Sequence, residues 1–248
     1  MIRGLYTSAT GMAVNEARMD TLSNNIANVD TDGFKKDRRI VESFEDALLH
    51  RIQAGERQEI GGLGPGAGID ESYTDFSQGG IKETEADLDL ALNGDGFFAV
   101  ETPEGVRYTR RGNFTMDSDG LIVNDDGYPL LGEEGPLQVL PGEITTVDTD
   151  GTVYSGGLEV DELIIADFDD RNLLEQEGYS LYAQAEAEEV EPEEFEVKQG
   201  FVERSNVEIV KEMVDMIEAT RHYETNQRAV RAQDETLQRA VNDIASLM

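Results

Sequence analysis

The C-terminal stretch VEIVKEMVDMIEATRHYETNQRAVRAQDETLQRAVNDIASL, residues 207–247, sets the fold class of this chain. Its apolar residues recur every three or four positions, which is the period of one face of an α-helix. Neither Gly nor Pro interrupts residues 201–248. The pattern predicts one helix from Val207 to Leu247, about 60 Å long at roughly 1.5 Å per residue, with Ser205 or Asn206 as its N-cap.

A second helical stripe begins the chain. Apolar or small residues keep the same spacing from Ile2 to Val29, with a polar gap at Asn15. So narrow a stripe suits a seam between helices better than a globular core. We therefore expect helices from opposite ends of the chain to form a coiled-coil-like stem, with further burial between subunits. The predicted assembly seam is Leu5, Met12, Met19, Leu22, Ile26, Val210, Val214, Ile217, Tyr223, Val230 and Leu237.

Between the stripes, from about residue 72 to residue 185, the period changes to two. Leu88, Leu90 and Leu92 alternate with other residues, and the string NGDG, residues 93–96, separates them from FFAV. This arrangement predicts a β-hairpin across NGDG. Short strands at near-regular spacing predict an antiparallel β domain. The fold class is therefore α+β, with long N- and C-terminal helices around an inserted antiparallel all-β domain.

The composition shifts along the chain predict four regions. Residues 1–60 form an N-terminal helical assembly region, including a second short helix. Residues 61–71, which contain GGLGPGAG, form a Gly-rich linker. Residues 72–196 form the antiparallel β domain, and residues 197–248 form a C-terminal helix that pairs with the N-terminal region. The apolar positions of the short helix are Ile40, Phe44, Ala47, Leu48 and Ile52.

The charge of the chain is strongly acidic. Asp and Glu number 53 against 20 Lys and Arg, for a formal net charge of −33. Nucleic-acid phosphates and anionic membrane surfaces would be repelled, so neither is expected as a partner. Such a surface keeps a protein soluble, and it suits a saline or alkaline habitat in which self-repulsion is screened.

Few residues offer enzyme chemistry. The chain has no Cys and two His, and it contains no nucleophile-elbow, zinc-protease or P-loop string. We expect no enzymatic activity, no cofactor and no metal. The start lacks the uninterrupted apolar segment of a cleaved signal peptide, and no apolar run is long enough to predict insertion in a membrane.

The string NVDTDG, residues 28–33, resembles the first half of a calcium loop. Oxygen-bearing side chains occur at Asn28, Asp30 and Asp32, and Gly33 follows. Counting from Asn28, however, position 12 is Arg39, where a calcium loop needs a bidentate Glu. The string is better interpreted as a turn. An acidic extracellular module that binds calcium or a glycan stays open as an alternative function.

Three parts of the chain resemble the bacterial flagellar axial proteins, the basal-body rod and hook family. They are GLYTSATGMAVNEARMDTLSNNIANVDTDGFKK near the start, QGGIKETEADLDLALNGDGFFAV with YTRRGNFTMDSDGLIVNDDGYPLLG in the middle, and SNVEIVKEMVDMIEATRHYETNQRAVRAQDETLQ near the end. The matching motif positions are Ser23, Asn24, Asn25, Ala27, Asn28, Gly33, Phe34, Ser205, Asn206 and Val207. Asp30 and Asp32 depart from the family, which more often has Asn and Thr there.

The resemblance implies a structural subunit that assembles with itself and with other flagellar axial proteins of the rod and hook. It implies export by the flagellar export apparatus, without a cleaved signal peptide, into the basal body within the cell envelope. The length and the opening MIRGLYTSATGM most resemble the distal members of the rod. A proximal rod protein or a rod paralogue is the alternative.

Overall fold

The structure, a computed structural model, describes residues 2–43, 47–53, 56–63, 66–178, 180–185, 187–190, 192 and 194–245. The chain forms two compact units. The first comprises Met1–Ile26, Asp37–Tyr73 and Glu208–Met248, and the second comprises Ala27–Lys36 and Thr74–Val207. The backbone therefore passes from the first unit to the second and back twice.

Two long helices contain the chain ends in the first unit. Helix α1 spans Ile2–Ala27, and helix α2 spans Ile209–Ala245. Both were predicted from the helical period of their apolar residues. The α+β class is confirmed, because the other regular elements are strands that pair antiparallel wherever their register is defined. Within the described residues, neither helix has an apolar stretch long enough to cross a bilayer.

The first unit also contains four strands. They are β1 Lys36–Ser43, β2 Ala47–Gln53, β3 Glu56–Leu63 and β4 Ala67–Asp75. Strand β1 lies beside β4, and β2 pairs with β3 in a second two-stranded sheet. The register of β2 and β3 runs from Ala47 opposite Leu63 to Gln53 opposite Glu56.

The short helix predicted through Ile40, Ala47, Leu48 and Ile52 is therefore wrong, and its remaining position, Phe44, lies outside the described residues. Apolar spacing over so few residues fits either a helix or a strand. An isolated helix of two or three turns is marginal in water, whereas β2 pairs with β3 from Ala47 to Gln53, which satisfies the backbone groups along one edge of β2.

The Gly-rich linker predicted at residues 61–71 is also wrong in most of its length. Strand β3 continues to Leu63, β4 begins at Ala67, and residues 64–65 lie outside the described part. Gly61 is paired with Leu49, and Gly62 with Leu48. Glycine removes side-chain packing from a strand, but it keeps both backbone hydrogen-bonding groups.

The second unit is an antiparallel β structure, as the alternating period predicted. Its strands are β5 Ile81–Glu83, β6 Leu90–Gly94, β7 Phe97–Thr102, β8 Gly105–Thr109, β9 Phe114–Met116, β10 Ile122–Asn124, β11 Leu131–Gly132, β12 Gly135–Pro136, β13 Thr145–Val147, β14 Thr152–Ser155, β15 Leu158–Glu162, β16 Ile165–Phe168, β17 Leu174–Glu177, β18 Leu181–Gln184, β19 Glu189–Val190, β20 Phe195–Gln199 and β21 Phe201–Glu203. A single turn of 3₁₀-helix spans Arg171–Leu173.

The largest sheet of this unit has the strand order β17-β18-β8-β7-β16-β19. Strands β13, β14 and β15 form a three-stranded sheet, and the remaining strands pair as β9 with β10, β11 with β12, β6 with β20 and β5 with β21. The last three residues of β20 and all of β21 lie within the range 197–248 that was assigned to the C-terminal helix. That assignment began too early, because these residues pair with β6 and β5 instead.

The hairpin predicted across NGDG is wrong. Strand β6 pairs with β20, whereas β7 pairs with β8 and β16. Gly94 and Gly96 have φ angles of 108° and 106°, and a Cβ on Gly94 would lie 2.4 Å from the carbonyl oxygen of Glu194. The glycines therefore let the chain leave one sheet for another at a close backbone approach.

Strand β7 buries side chains on both of its faces. Phe98 and Val100 belong to one hydrophobic cluster, and Phe97 and Ala99 belong to the other. All four residues are at most 1% exposed. Since successive side chains of a strand point to opposite faces, the run FFAV contributes to both clusters of the core.

We expect Phe98→Ala to destabilise the protein by about 3–5 kcal/mol, because the ring is fully buried and packs edge-on against Phe114 with centroids 5.5 Å apart. The matched control is Val106→Ala on the neighbouring strand, where Val106 is 44% exposed, and its cost should stay below about 0.5 kcal/mol. Urea unfolding followed by tyrosine fluorescence and circular dichroism measures both. Equal losses would contradict the burial of Phe98.

Candidate assembly surface

Helices α1 and α2 pack against each other in antiparallel orientation within the first unit. The contacting pairs are Gly4 with Gln233, Gly11 with Asn226, Arg18 with Asp215, Met19 with Thr220, and Asn25 with Glu212. As the position in α1 advances from 4 to 25, its partner in α2 retreats from 233 to 212. The ends of the chain are therefore held together over most of the length of α1.

The seam between the helices contains two glycines, seven residues apart on one face of α1. A Cβ on Gly4 would lie 2.5 Å from Gln233 Nε2, and a Cβ on Gly11 would lie 2.8 Å from Asn226 Nδ2. The side-chain amides of α2 thus lie directly against the backbone of α1. A glycine inside a helix costs about 0.5–1 kcal/mol relative to alanine, and this close packing offsets that cost.

The face of α2 that packs on α1 has a heptad spacing. Its buried and half-buried residues alternate in steps of four and three, the spacing of a coiled-coil seam. They are Glu212, Met216, Ala219, Tyr223, Asn226, Val230, Gln233, Leu237 and Ala240. Three predicted seam residues, Tyr223, Val230 and Leu237, lie on this inner face. On α1, the predicted residue Leu22 is buried, and Leu5, Met12, Met19 and Ile26 are half-buried.

The other predicted seam residues of α2 lie on its opposite face. Val210, Val214 and Ile217 are 72%, 52% and 53% exposed. We call these three residues the outer stripe. Ile209 and Met213 beside them are also exposed. The predicted seam of α2 therefore combined residues from two faces of one helix, because the residues of each face follow one another in steps of three and four. The outer stripe is an apolar surface that its own chain leaves in water.

The N-terminal family motif fixes the turn after α1. Asn25 is 1% exposed, and its Nδ2 donates to the carbonyl oxygen of Asp37 at 2.9 Å, while its Oδ1 accepts from the Asp37 N–H at 3.0 Å. The same Nδ2 lies 3.4 Å from Glu212 Oε2. Its motif neighbours Ser23, Asn24 and Ala27 are exposed. Asn25 therefore joins α1, β1 and α2.

The second half of this motif lies in the second unit. Asn28 is buried, and its carbonyl oxygen accepts from the Thr31 N–H at 3.1 Å. Gly33 has a φ of 71°, and a Cβ there would lie 2.5 Å from the Arg111 Cα. Phe34 is 1% exposed. The string is thus a tight, buried turn that requires glycine, in line with its interpretation as a turn.

The C-terminal family motif binds the same region of the second unit. Asn206 Oδ1 accepts from the Lys36 N–H at 2.9 Å, and Asn206 Nδ2 donates to the carbonyl oxygens of Asp75 at 2.7 Å and Ser77 at 3.0 Å. Ser205 Oγ accepts from the Val207 N–H at 3.3 Å, and Val207 is buried.

Neither Ser205 nor Asn206 is the N-cap of α2, so that prediction is wrong. The first backbone bond of the helix runs from the Glu212 N–H to the Glu208 carbonyl oxygen at 3.0 Å, and α2 begins at Ile209. The Asn206 side chain instead hydrogen-bonds the backbone of Lys36, Asp75 and Ser77, which lie far away in sequence. The Ser-Asn string looks like a cap because the same residue types serve both purposes.

A buried cluster of three charges lies next to these motifs in the second unit. Glu203 Oε1 is 2.7 Å from Lys35 Nζ and 2.7 Å from the Gly79 nitrogen, and Glu203 Oε2 is 3.5 Å from Arg110 Nη1. All three charged side chains are at most 3% exposed. Burial lowers the pKa of Lys35 and of Arg110, and the carboxylate of Glu203 opposes that change.

Sequence reasoning missed this cluster. Taken as sequence alone, the string YTRRG, residues 108–112, fits either a short basic patch or an edge strand. Instead, Arg110 is buried and β8 lies inside the large sheet between β7 and β18. The sequence does show Lys35 directly after Gly33 and Phe34 of the family motif. It does not indicate which of the many acidic residues forms an ion pair with this lysine.

We expect Glu203→Gln to destabilise the protein by about 3–5 kcal/mol, because it leaves two buried cations without a carboxylate. Lys35→Met should cost less, since the Glu203 carboxylate keeps Arg110 and the Gly79 N–H. Urea unfolding of both variants gives the comparison. A larger loss for Lys35→Met than for Glu203→Gln would contradict the central position of Glu203.

The calcium alternative lacks a binding group within the described residues. Among those residues, no group of three or more Asp, Glu or His side chains could hold a metal ion. An acid-lined cleft holds Arg171, whose guanidinium binds Asp167 at 2.9 Å and Asp95 at 2.6 Å. Burial of Asp167 disfavours its ionisation, yet hydrogen bonds from Arg171 and the Phe168 backbone hold its pKa below the ordinary value.

Comparison with known proteins gives three matches to family models. They are the flagella basal body rod protein at residues 5–35, the flagellar hook protein FlgE/F/G D1 domain at residues 91–155, and the flagellar basal body rod FlgEFG protein C-terminal region at residues 198–243. These spans contain both motif regions and most of α2.

Relatives that match over almost the whole chain are also flagellar basal-body rod proteins. The chain is 33% identical to the flagellar basal-body rod protein FlgG of Buchnera aphidicola subsp. Schizaphis graminum (strain Sg), over 96% of this chain and 98% of the relative. It is 33% identical to FlgG of Bacillus subtilis (strain 168), over 98% of this chain and 99% of the relative. The chain belongs to the flagellar basal-body rod protein family.

Within the family, this rod protein is most like the distal rod protein FlgG. The flagellar hook-basal body complex protein FlhO of Bacillus subtilis (strain 168) is 30% identical over 100% of both chains. The predicted resemblance to a distal rod member is therefore confirmed at the level of sequence. The rod protein is accordingly a structural subunit.

Proposed function

We propose that this rod protein polymerises into the flagellar basal-body rod through the outer stripe of α2, as a non-enzymatic structural subunit. The observation that supports this most directly is the exposure of Val210, Val214 and Ile217 on a helix whose inner face already packs on α1. The α1–α2 pair would serve as the coiled-coil-like stem of each subunit, and the outer stripe would make the contact between subunits.

The free energy for this contact comes from apolar burial. Removing a valine or isoleucine side chain from water contributes about 1.5–3 kcal/mol when burial is complete, and each stripe residue is more than half exposed in the single chain. Val210, Val214 and Ile217 follow one another in steps of four and three. They therefore form a continuous surface on one face of α2. A second helix can cover such a surface.

The partners and location follow from family membership and the outer stripe together. The proposed partners are further copies of this chain, other axial proteins of the rod and hook, and the flagellar export apparatus. The proposed location is the basal body within the cell envelope, reached by flagellar export. The proposed position is distal, with a proximal rod protein or a rod paralogue as the alternative.

We expect Ile217→Asp to abolish incorporation into the rod without unfolding the chain, because Ile217 is 53% exposed. Leu22→Asp should also abolish incorporation, but by loosening the α1–α2 pair, since Leu22 is 7% exposed. The measurement is the amount of this chain in basal bodies isolated from cells that make only the variant, together with thermal unfolding by circular dichroism.

The matched control is Thr236→Asp, an exposed change on α2 outside the outer stripe, and it should incorporate normally. An unchanged melting temperature for Ile217→Asp and a lowered one for Leu22→Asp would separate the two mechanisms. Normal motility and normal incorporation of Ile217→Asp would rule out assembly through the outer stripe.

A further inference from the structure

The outer stripe continues along α2 with a different chemistry. In steps of three or four beyond Ile217, the same face presents Arg221, Glu224, Arg228 and Arg231, all of them exposed. The outward face is thus apolar over its first three positions and mainly basic over the next four. We call residues 221–231 the arginine segment.

The arginine segment stands out against the composition of the chain. The protein has a net charge of −33, yet in the part of the chain that the structure describes none of the three arginines forms an ion pair. Arg228 Nη2 donates to Thr225 Oγ1 at 3.4 Å, which leaves its charge uncompensated. Exposed guanidinium groups on one face are suited to carboxylates of another molecule.

Matching carboxylates flank the outer stripe. Glu208 and Glu218 are exposed beside Val210 and Ile217, while Asp215 lies 3.6 Å from Arg18 of the same chain. The first part of α2 therefore offers an apolar surface with an acidic border. An arginine can lay its aliphatic stem on such a surface and place its charged head at the border.

We propose that the occupant of the outer stripe is the arginine segment of a second copy of this chain. The two α2 helices run parallel and are displaced by eleven residues, about 16 Å along the helix axis. Arg221 of one copy then lies over Val210 of the next, and Arg228 lies over Ile217 beside Glu218. This inference rests on the proposed function, because it assumes that the outer stripe is the assembly contact.

The displacement explains how the contact propagates. Two different segments meet, so the first copy keeps a free outer stripe and the last copy keeps a free arginine segment. Such a heterologous contact does not close and generates a filament. An antiparallel arrangement would pair the same segments reciprocally and stop at a dimer, which makes the oligomers formed a test of the orientation.

Cysteine cross-linking tests the displacement directly, because the chain has no native Cys. The variant carries Met213→Cys and Glu224→Cys, two exposed positions eleven residues apart that leave the outer stripe and the arginines intact, and isolated basal bodies are treated with a short bis-maleimide. A ladder of dimers, trimers and longer products is expected on a denaturing gel. The matched control carries Met213→Cys and Asp234→Cys, both exposed at a displacement of 21 residues, and should give at most one-tenth of the ladder. Dimers alone, or equal ladders from both variants, would overturn the proposal.

A charge exchange tests the chemistry of the contact. Arg228→Glu and Glu218→Arg should each lower incorporation at least ten-fold, and the chain that carries both changes should recover to within two-fold of the native level. Positions 218 and 228 are about 15 Å apart along the same helix, so recovery must come from contact between copies. Arg239→Glu, a charge reversal on α2 outside this face, is the control and should incorporate normally.

These outcomes separate the two proposals. If Ile217→Asp blocks incorporation while the charge variants incorporate normally, assembly through the outer stripe stands and the arginine segment is not its occupant. If Ile217→Asp incorporates normally, the proposed function fails, whatever the charge variants do. Failure of the double charge variant to recover would also overturn the displaced contact.

Discussion

The pairing of the first and last helices is the constraint on which the rest of the chain depends. Residues between 4 and 25 of α1 contact residues between 233 and 212 of α2, so the two helices run antiparallel. Everything between them is therefore an insertion that must leave α1 and return to α2. Because two glycines and three amide side chains occupy the seam, its specificity rests on close packing and hydrogen bonds as much as on apolar burial.

Two asparagine side chains link segments that lie apart in the sequence by hydrogen bonds. Asn25 uses its donor and its acceptor on the two backbone groups of Asp37, and Asn206 divides the same two functions between Lys36 and the carbonyl oxygens of Asp75 and Ser77. A carboxylate could replace only the acceptor. This explains physically why asparagine serves at these two motif positions, whereas Asp30, which is exposed, can be acidic.

The electrostatic character of the molecule differs between its surface and its interior. The excess of 53 acids over 20 bases is carried mainly by exposed side chains, where solvent and salt screen the repulsion. Within the buried cluster around Glu203 the ratio is reversed, since this one carboxylate meets two cations, Lys35 and Arg110. The exposed arginines on the outward face of α2 are a second local exception.

The sequence by itself determined the period of each region and the family. Helical spacing predicts α1 and α2, alternation predicts the antiparallel unit, and three motifs predict a rod protein. These features are local, because a period of 3.6 or 2 is set by the backbone geometry of a few consecutive residues. The motif strings are likewise runs of neighbouring residues. The contacts that explain them, however, join residues far apart in the chain.

Only the tertiary structure decided which residues meet. It divided the predicted seam into the inner face with Tyr223, Val230 and Leu237 and the outer stripe, although both faces share one spacing. It paired β6 with β20 instead of β7, and it turned the predicted short helix into β1 and β2. It selected Glu203 from among 53 acids as the partner of Lys35. These choices depend on burial and on hydrogen bonds between residues far apart in the chain, and a local pattern contains no information about either.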